Sequence, residues 1–238
     1  MRSMFNRLTV ILGLMLAVLP AAAQQIVLNS GSVIGGGPSY DGGTFNSGFA
    51  PATRAVDEQT GAINIETEAR NNYWLGPDGV TTSYFVLDLG AAFKLGQIDL
   101  FNTHNWESLD RSTNAFQIAA SNNVSFVNAT LGFNVVSGVS ILSGTLPFTT
   151  AAAPPANTFT SSNGLTSGDV AYRYISFTFS SYVGVDNSAG QGGGLHEIRI
   201  TAIPEPGTTA FLAGFAALSF VILRVKRKGL RSPVLEHD

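Results

Sequence analysis

Apolar residues recur at every second position through the middle and the end of this 238-residue chain, and between its two ends no stretch carries a long helical periodicity. In Tyr84-Phe85-Val86-Leu87-Asp88-Leu89-Gly90, the residues Phe85, Leu87 and Leu89 share one face of a strand. Ile98 and Leu100 continue the pattern around Gln97 and Asp99, and Phe116 and Ile118 repeat it. Ile175, Phe177 and Phe179 alternate with Tyr174, Ser176 and Thr178, and Ile198 with Ile200 closes the series. Strands with one apolar face and no helix to cover it must pack against one another, so the expected fold is all-β, an antiparallel sandwich. Gly, at 26 of 238, and the Ser, Thr and Asn that crowd the connections supply the turns. Residues 137–156, rich in Gly, Ser, Thr and Pro, read as an irregular insertion or a hairpin with long loops.

The two ends follow a different logic. Arg2 and Arg7 precede an unbroken apolar run over residues 8–19, Pro20 stops it, and Ala21-Ala22-Ala23 places small residues at −3 and −1. A run of about a dozen residues is short for a spanning helix and suits a signal peptide, here residues 1–23, removed by signal peptidase to leave Gln24 as the mature start. A buried core helix would show a polar face, which this run lacks. At the other end residues 208–223 carry no charge, and Arg224, Lys226, Arg227, Lys228 and Arg231 follow. As a helix this segment spans roughly 24 Å at 1.5 Å per residue, so snorkelling arginines complete a crossing of the inner membrane. The basic cluster then stays cytoplasmic.

Directly before that segment stand Pro204, Glu205 and Pro206. Together, residues 203–231 resemble the PEP-CTERM sorting signal of Gram-negative bacteria. The resemblance implies recognition by an exosortase, transient anchoring in the inner membrane, and a destination at the cell surface or in the exopolysaccharide matrix. Residues 232–238 extend past the arginines at which such signals usually stop. An ordinary single-pass anchor that is never processed is the other reading of the same residues.

Between the signals, residues 24–202 have a length that suits one domain. Of the 13 Lys and Arg, seven lie in the two ends, leaving six against thirteen Asp and Glu in this domain. An acidic domain is a poor partner for nucleic acid and a better one for cations or neutral sugars. Cysteine is absent, which excludes a thiol nucleophile, a thiolate metal site and any disulfide. Only His104 and His196 lie in the domain, no G-x-S-x-G elbow occurs, and His196-Glu197 is not followed by a second histidine at zinc-helix spacing. The expected function is therefore binding without catalysis.

The order of elements carries a second resemblance: Ala55-Val56-Asp57-Glu58, Trp74, residues 85–90, 98–102 and 116–121, then 171–175 and 194–200. This order resembles the discoidin-like, coagulation-factor C-type family, whose fold is a galactose-binding-like jelly-roll sandwich. The resemblance implies a structural calcium at one edge, with Asp57 and Glu197 as its carboxylates. Oxygen donors are what a hard cation requires. Here residues 57–61 precede a longer stretch before Trp74 than the family usually has. The other readings are a turn-capping Asp57 and an edge Glu197 paired with Arg199 or Arg173. In sugar-binding relatives the ligand sits in loops at one end of the sandwich, and residues 102–111 supply the residue types used there. Asn102, His104, Trp106 and Arg111 are the candidate contacts, Trp106 by stacking and the others by hydrogen bonds to hydroxyls. Otherwise Trp106 caps the core and Arg111 pairs with Asp110 or Glu107. The implied partner is a glycan or exopolysaccharide, and the alternative is a matrix protein without a specific ligand.

Overall fold

The alternation around Phe85 and the alternation around Ile98 belong to one strand, twenty residues long, Ser83–Asn102. The computed structural model describes residues 23–63, 65–67, 70–185 and 192–204. Its strands in chain order are β1 (Gln24–Gln25), β2 (Val33–Gly36), β3 (Ile65–Thr67), β4 (Arg70–Asn71), β5 (Trp74–Leu75), β6 (Ser83–Asn102), β7 (Ser112–Thr113) and β8 (Ala115–Ser121). They continue with β9 (Val124–Asn128), β10 (Gly132–Val135), β11 (Val139–Thr145), β12 (Ala156–Thr160), β13 (Ala171–Phe179), β14 (Tyr182–Val183) and β15 (Gly194–Ala202). The helices among the described residues are short 3-10 turns.

β6 belongs to both layers. Its first part pairs antiparallel with β13, from Ser83↔Phe179 to Lys94↔Ala171, and lies in the sheet ordered β11-β8-β13-β6-β2-β10-β9. Its last part pairs antiparallel with β15, from Leu95↔Ala202 to Asn102↔Leu195, and with β12 on the other side. Bulges in both ladders fall near the crossover. A bulge adds twist and bends a strand, which lets one strand turn from one layer into the other.

The inner faces of the two layers meet in one apolar cluster. Phe85, Leu87, Ile98, Leu100, Ile118, Ile175, Phe177, Phe179 and Ile200 have no exposed surface, and Phe116 and Ile198 almost none. Trp74 anchors it, its ring centroid 5.0 Å from Phe85, 6.1 Å from Phe177 and 5.6 Å from Phe179. Every inward residue read from the two-residue period is buried. Val86, on the other face of β6, is buried too. At Gly35 on β2, a Cβ would sit 1.9 Å from the Phe133 carbonyl, so β10 closes against this sheet only because that position has no side chain.

Two expectations are corrected. Residues 137–156 are not simply irregular: β11 pairs there with β8, with Leu142 opposite Ile118. Glu197 does not sit at a solvated edge, because it is 1% exposed. The 3-10 turn Ala52–Val56 packs against β15 and covers that face. Most of the signal segment 1–23, Glu205 and Pro206 of the sorting motif, the apolar segment 208–223 and the tail lie outside the described residues. No helix among the described residues is long and apolar enough to cross a membrane.

Candidate functional site

The loop that follows β6 is built on Asn102. Its amide nitrogen donates to the Thr113 and Pro147 carbonyls at 2.8 and 3.1 Å, and its oxygen accepts from the Thr103 and Thr113 amides at 3.0 Å each. The side chain is buried and its capacity is spent on backbone, which fixes both ends of the loop. Ser112 donates to the Thr103 carbonyl and tightens the same closure.

His104 is buried below the loop, with Nδ1 2.8 Å from the Trp106 carbonyl and Nε2 3.2 Å from the Ala151 carbonyl. Arg111 is buried as well. Its guanidinium pairs with Asp78, lies 3.9 Å from Asp110 and stacks 4.3 Å from the centre of the Tyr40 ring. Asp110 in turn accepts from Asn105 Nδ2 at 2.6 Å, and the Tyr73 hydroxyl donates to Asn105 Oδ1 at 3.0 Å.

These contacts hold an unfavourable backbone. Asn105, Trp106 and Leu109 have φ of 56°, 50° and 52° around the 3-10 turn Trp106–Ser108. Asn tolerates this region, but for a bulky residue such as Trp it is an outlier, costing of order 1–3 kcal/mol. Trp106 is the member of the four candidates that remains exposed, at 37%. The structure thus gathers all four residues in one loop and divides them: Asn102, His104 and Arg111 are the frame, Trp106 the presented surface. Tyr73, Asp78, Asp110 and Tyr40 complete the frame. Of these, Asp110 was legible as a neighbour of Arg111, whereas Tyr73, Asp78 and Tyr40 meet partners about thirty to seventy residues away.

Glu197, of the second candidate pair, is buried beneath the turn that ends at Asp57. Glu197 Oε1 accepts from the Glu58 amide at 3.2 Å, while Oε2 has no hydrogen-bond partner among the described residues. Burial, and next the charge of Asp57, push the Glu197 carboxyl up to about 9. Asp57 lies 3.5 Å from Arg54, and Arg199 donates to the Glu58 carbonyl at 3.1 Å. Arg173 pairs with Asp88 instead, at 2.9 Å. Asp57 and Glu58 line a cleft of about 730 Å³ together with Asn29, Asn46, Thr53 and Arg54. A buried carboxylate oxygen with no donor, near a second carboxylate, suits a hard cation. No cluster of three or more His, Cys, Asp or Glu side chains able to hold a metal occurs among the described residues, so carbonyl oxygens would have to complete the shell.

His196, beside Glu197, is fully buried, and neither ring nitrogen has a hydrogen-bond partner among the described residues. Burial, with a smaller contribution from His104, lowers its pKa to about 4. The unfolded chain then binds a proton near pH 6.5 that the folded chain refuses until about pH 4, so stability falls as pH drops through that window. His196→Leu is expected to flatten the acid side of the melting-temperature profile between those values. An unchanged acid slope would place the proton uptake elsewhere.

No family model matches the chain, and no curated protein matches it. Among solved structures, the chain is similar to the family 32 carbohydrate-binding module of Clostridium perfringens NanJ in complex with galactose. The identity is 14% and the TM-score 0.45, covering 76% of this chain and 99% of that one. It is similar to chitosan-binding module 1 of a Paenibacillus chitosanase/glucanase, at 15% identity and TM-score 0.43, covering 76% and 100%. It is also similar to reduced XRCC1 bound to the DNA pol beta catalytic domain, at 12% identity and TM-score 0.49, covering 76% and 99%.

Proposed function

We propose that the chain is an exported, surface-directed carbohydrate-binding module that acts without catalysis, with Trp106 as its sugar-stacking residue. The observation that carries this reading is the strained backbone at Trp106: a ring is held partly exposed in an unfavourable conformation by a buried frame of Asn102, His104 and Arg111. Strain maintained by so many contacts belongs at functional positions, and an indole face offers a sugar ring both apolar area and a polar edge. The acidic, cysteine-free domain favours a neutral glycan or exopolysaccharide as ligand. In this reading residues 1–23 direct export, and Pro204, Glu205 and Pro206 with the segment 208–223 direct sorting by an exosortase from the inner membrane to the surface. Asp57 and Glu197 hold a structural calcium, which neutralises the buried Glu197 carboxylate and ties the turn Ala52–Val56 to β15.

The test is a glycan array followed by calorimetric titration of the best sugar. Trp106→Ala is expected to abolish saturable binding while leaving the melting temperature within a few degrees of the parent, since Trp106 is not part of the buried apolar cluster. Equal binding by the variant would remove Trp106 from the site, and a parent that binds no sugar at all would leave a matrix protein whose loop serves the fold.

A further inference from the structure

The sheet begins where the export signal is expected to end. Gln24 stands in register with Ala202 and Gln25 with Thr201, and the Ile26 amide donates to the Ile200 carbonyl at 2.8 Å. Both glutamines are exposed. A glutamine at a chain start carries its own electrophile, because Cδ of the carboxamide lies at five-membered-ring distance from the α-nitrogen. No other residue is needed, and an intramolecular attack has a large advantage in effective concentration.

We propose that the exported chain is modified at Gln24 by closure to pyroglutamate, a reading that rests on the proposed cleavage between Ala23 and Gln24. The α-amino nitrogen attacks Cδ, the new N–Cδ bond closes the lactam, and the Cδ–Nε2 bond breaks. The α-nitrogen gives up a proton to the departing nitrogen, which leaves as ammonia, so no oxidant, reductant or co-substrate is required. The exposure of Gln24 leaves its side chain room to fold back on the amine. The lactam keeps both the Gln24 carbonyl and one N–H on its nitrogen, so the backbone groups that face Ala202 remain. The closed end loses the terminal ammonium and offers no amine to an aminopeptidase. That protects the short β1, whose loss would uncover the end of β15.

The full gene is expressed in an exporting Gram-negative host, and the exported chain is analysed by intact mass and by sequencing of its N-terminal peptide. The expected peptide begins at Gln24, is lighter by one ammonia, and yields to stepwise degradation only after treatment with a pyroglutamyl aminopeptidase. Gln24→Ser is expected to give a peptide with a free amine and no mass loss. A peptide that begins at Gln24 and keeps its full mass after prolonged incubation at neutral pH overturns the modification and leaves the export reading standing. A peptide that begins at Met1 or at another residue overturns the cleavage reading and this proposal with it.

Discussion

Trp74→Ala is expected to destabilise the domain by about 3–5 kcal/mol, read as a lower midpoint in denaturant unfolding followed by circular dichroism. The ring is fully buried and touches Phe85, Phe177 and Phe179, which come from both strands of the central β6–β13 pair. Its Nε1 has no hydrogen-bond partner among the described residues, so the loss is one of packing and cavity formation alone. Trp74→Phe, which retains most of the volume, is expected to lose much less. If Trp74→Ala unfolds at the parent's midpoint, the aromatic cluster is not the keystone of the core.

Glu197→Gln is expected to stabilise the cation-free domain above neutral pH and to remove its response to calcium. The folded pKa of about 9 exceeds the ordinary value of 4.5. The unfolded chain therefore releases its proton first, and stability declines as pH rises between those two values. At pH 7 the decline amounts to roughly 3 kcal/mol, from about 1.4 kcal/mol per pH unit. Gln has no proton to lose and is expected to be flat there. A divalent cation reverses the sign for the parent, because the carboxylate is then the favoured form. Calcium is expected to raise the parent's melting temperature most at pH 8, and chelator to lower it again. A calcium response that persists in Glu197→Gln would place the cation elsewhere. His196 acts in the opposite direction on the acid side, so without calcium stability is expected to peak between about pH 4.5 and 6.5.

Much of the fold was legible because one layer against another requires only a period of two. Phe85, Leu87, Phe177 and Ile200 are where that period puts them. What the period cannot state is continuity. The strand through Gly90 and Leu95 runs on where polar and small residues suggest a break, because the bulges that turn it are set by its partners β13 and β15. Residues 139–145 hide the same way: their sequence is turn-like, and pairing with β8 makes them a strand. In the candidate site the residue types were visible and their division of labour was not. Asn102 and Arg111 have the chemistry of sugar contacts, but long-range partners, Thr113, Pro147 and Asp78, take their donors. The same holds for Glu197, which reads as an outward position until the turn Ala52–Val56 is laid over it.

The pairing of β1 with the end of β15 gives the domain a base and a tip. Gln24 and Ala202 are opposite one another, so the chain enters and leaves at a single corner. The loop bearing Trp106 follows Asn102, which is paired to Leu195 near the start of the same nine-residue strand, roughly 25 Å away at about 3.3 Å per residue. Within the domain the indole is therefore carried at the end of β15 away from the corner where the first and last strands meet. The distance between the two ends of the domain is thus set by the length of one strand.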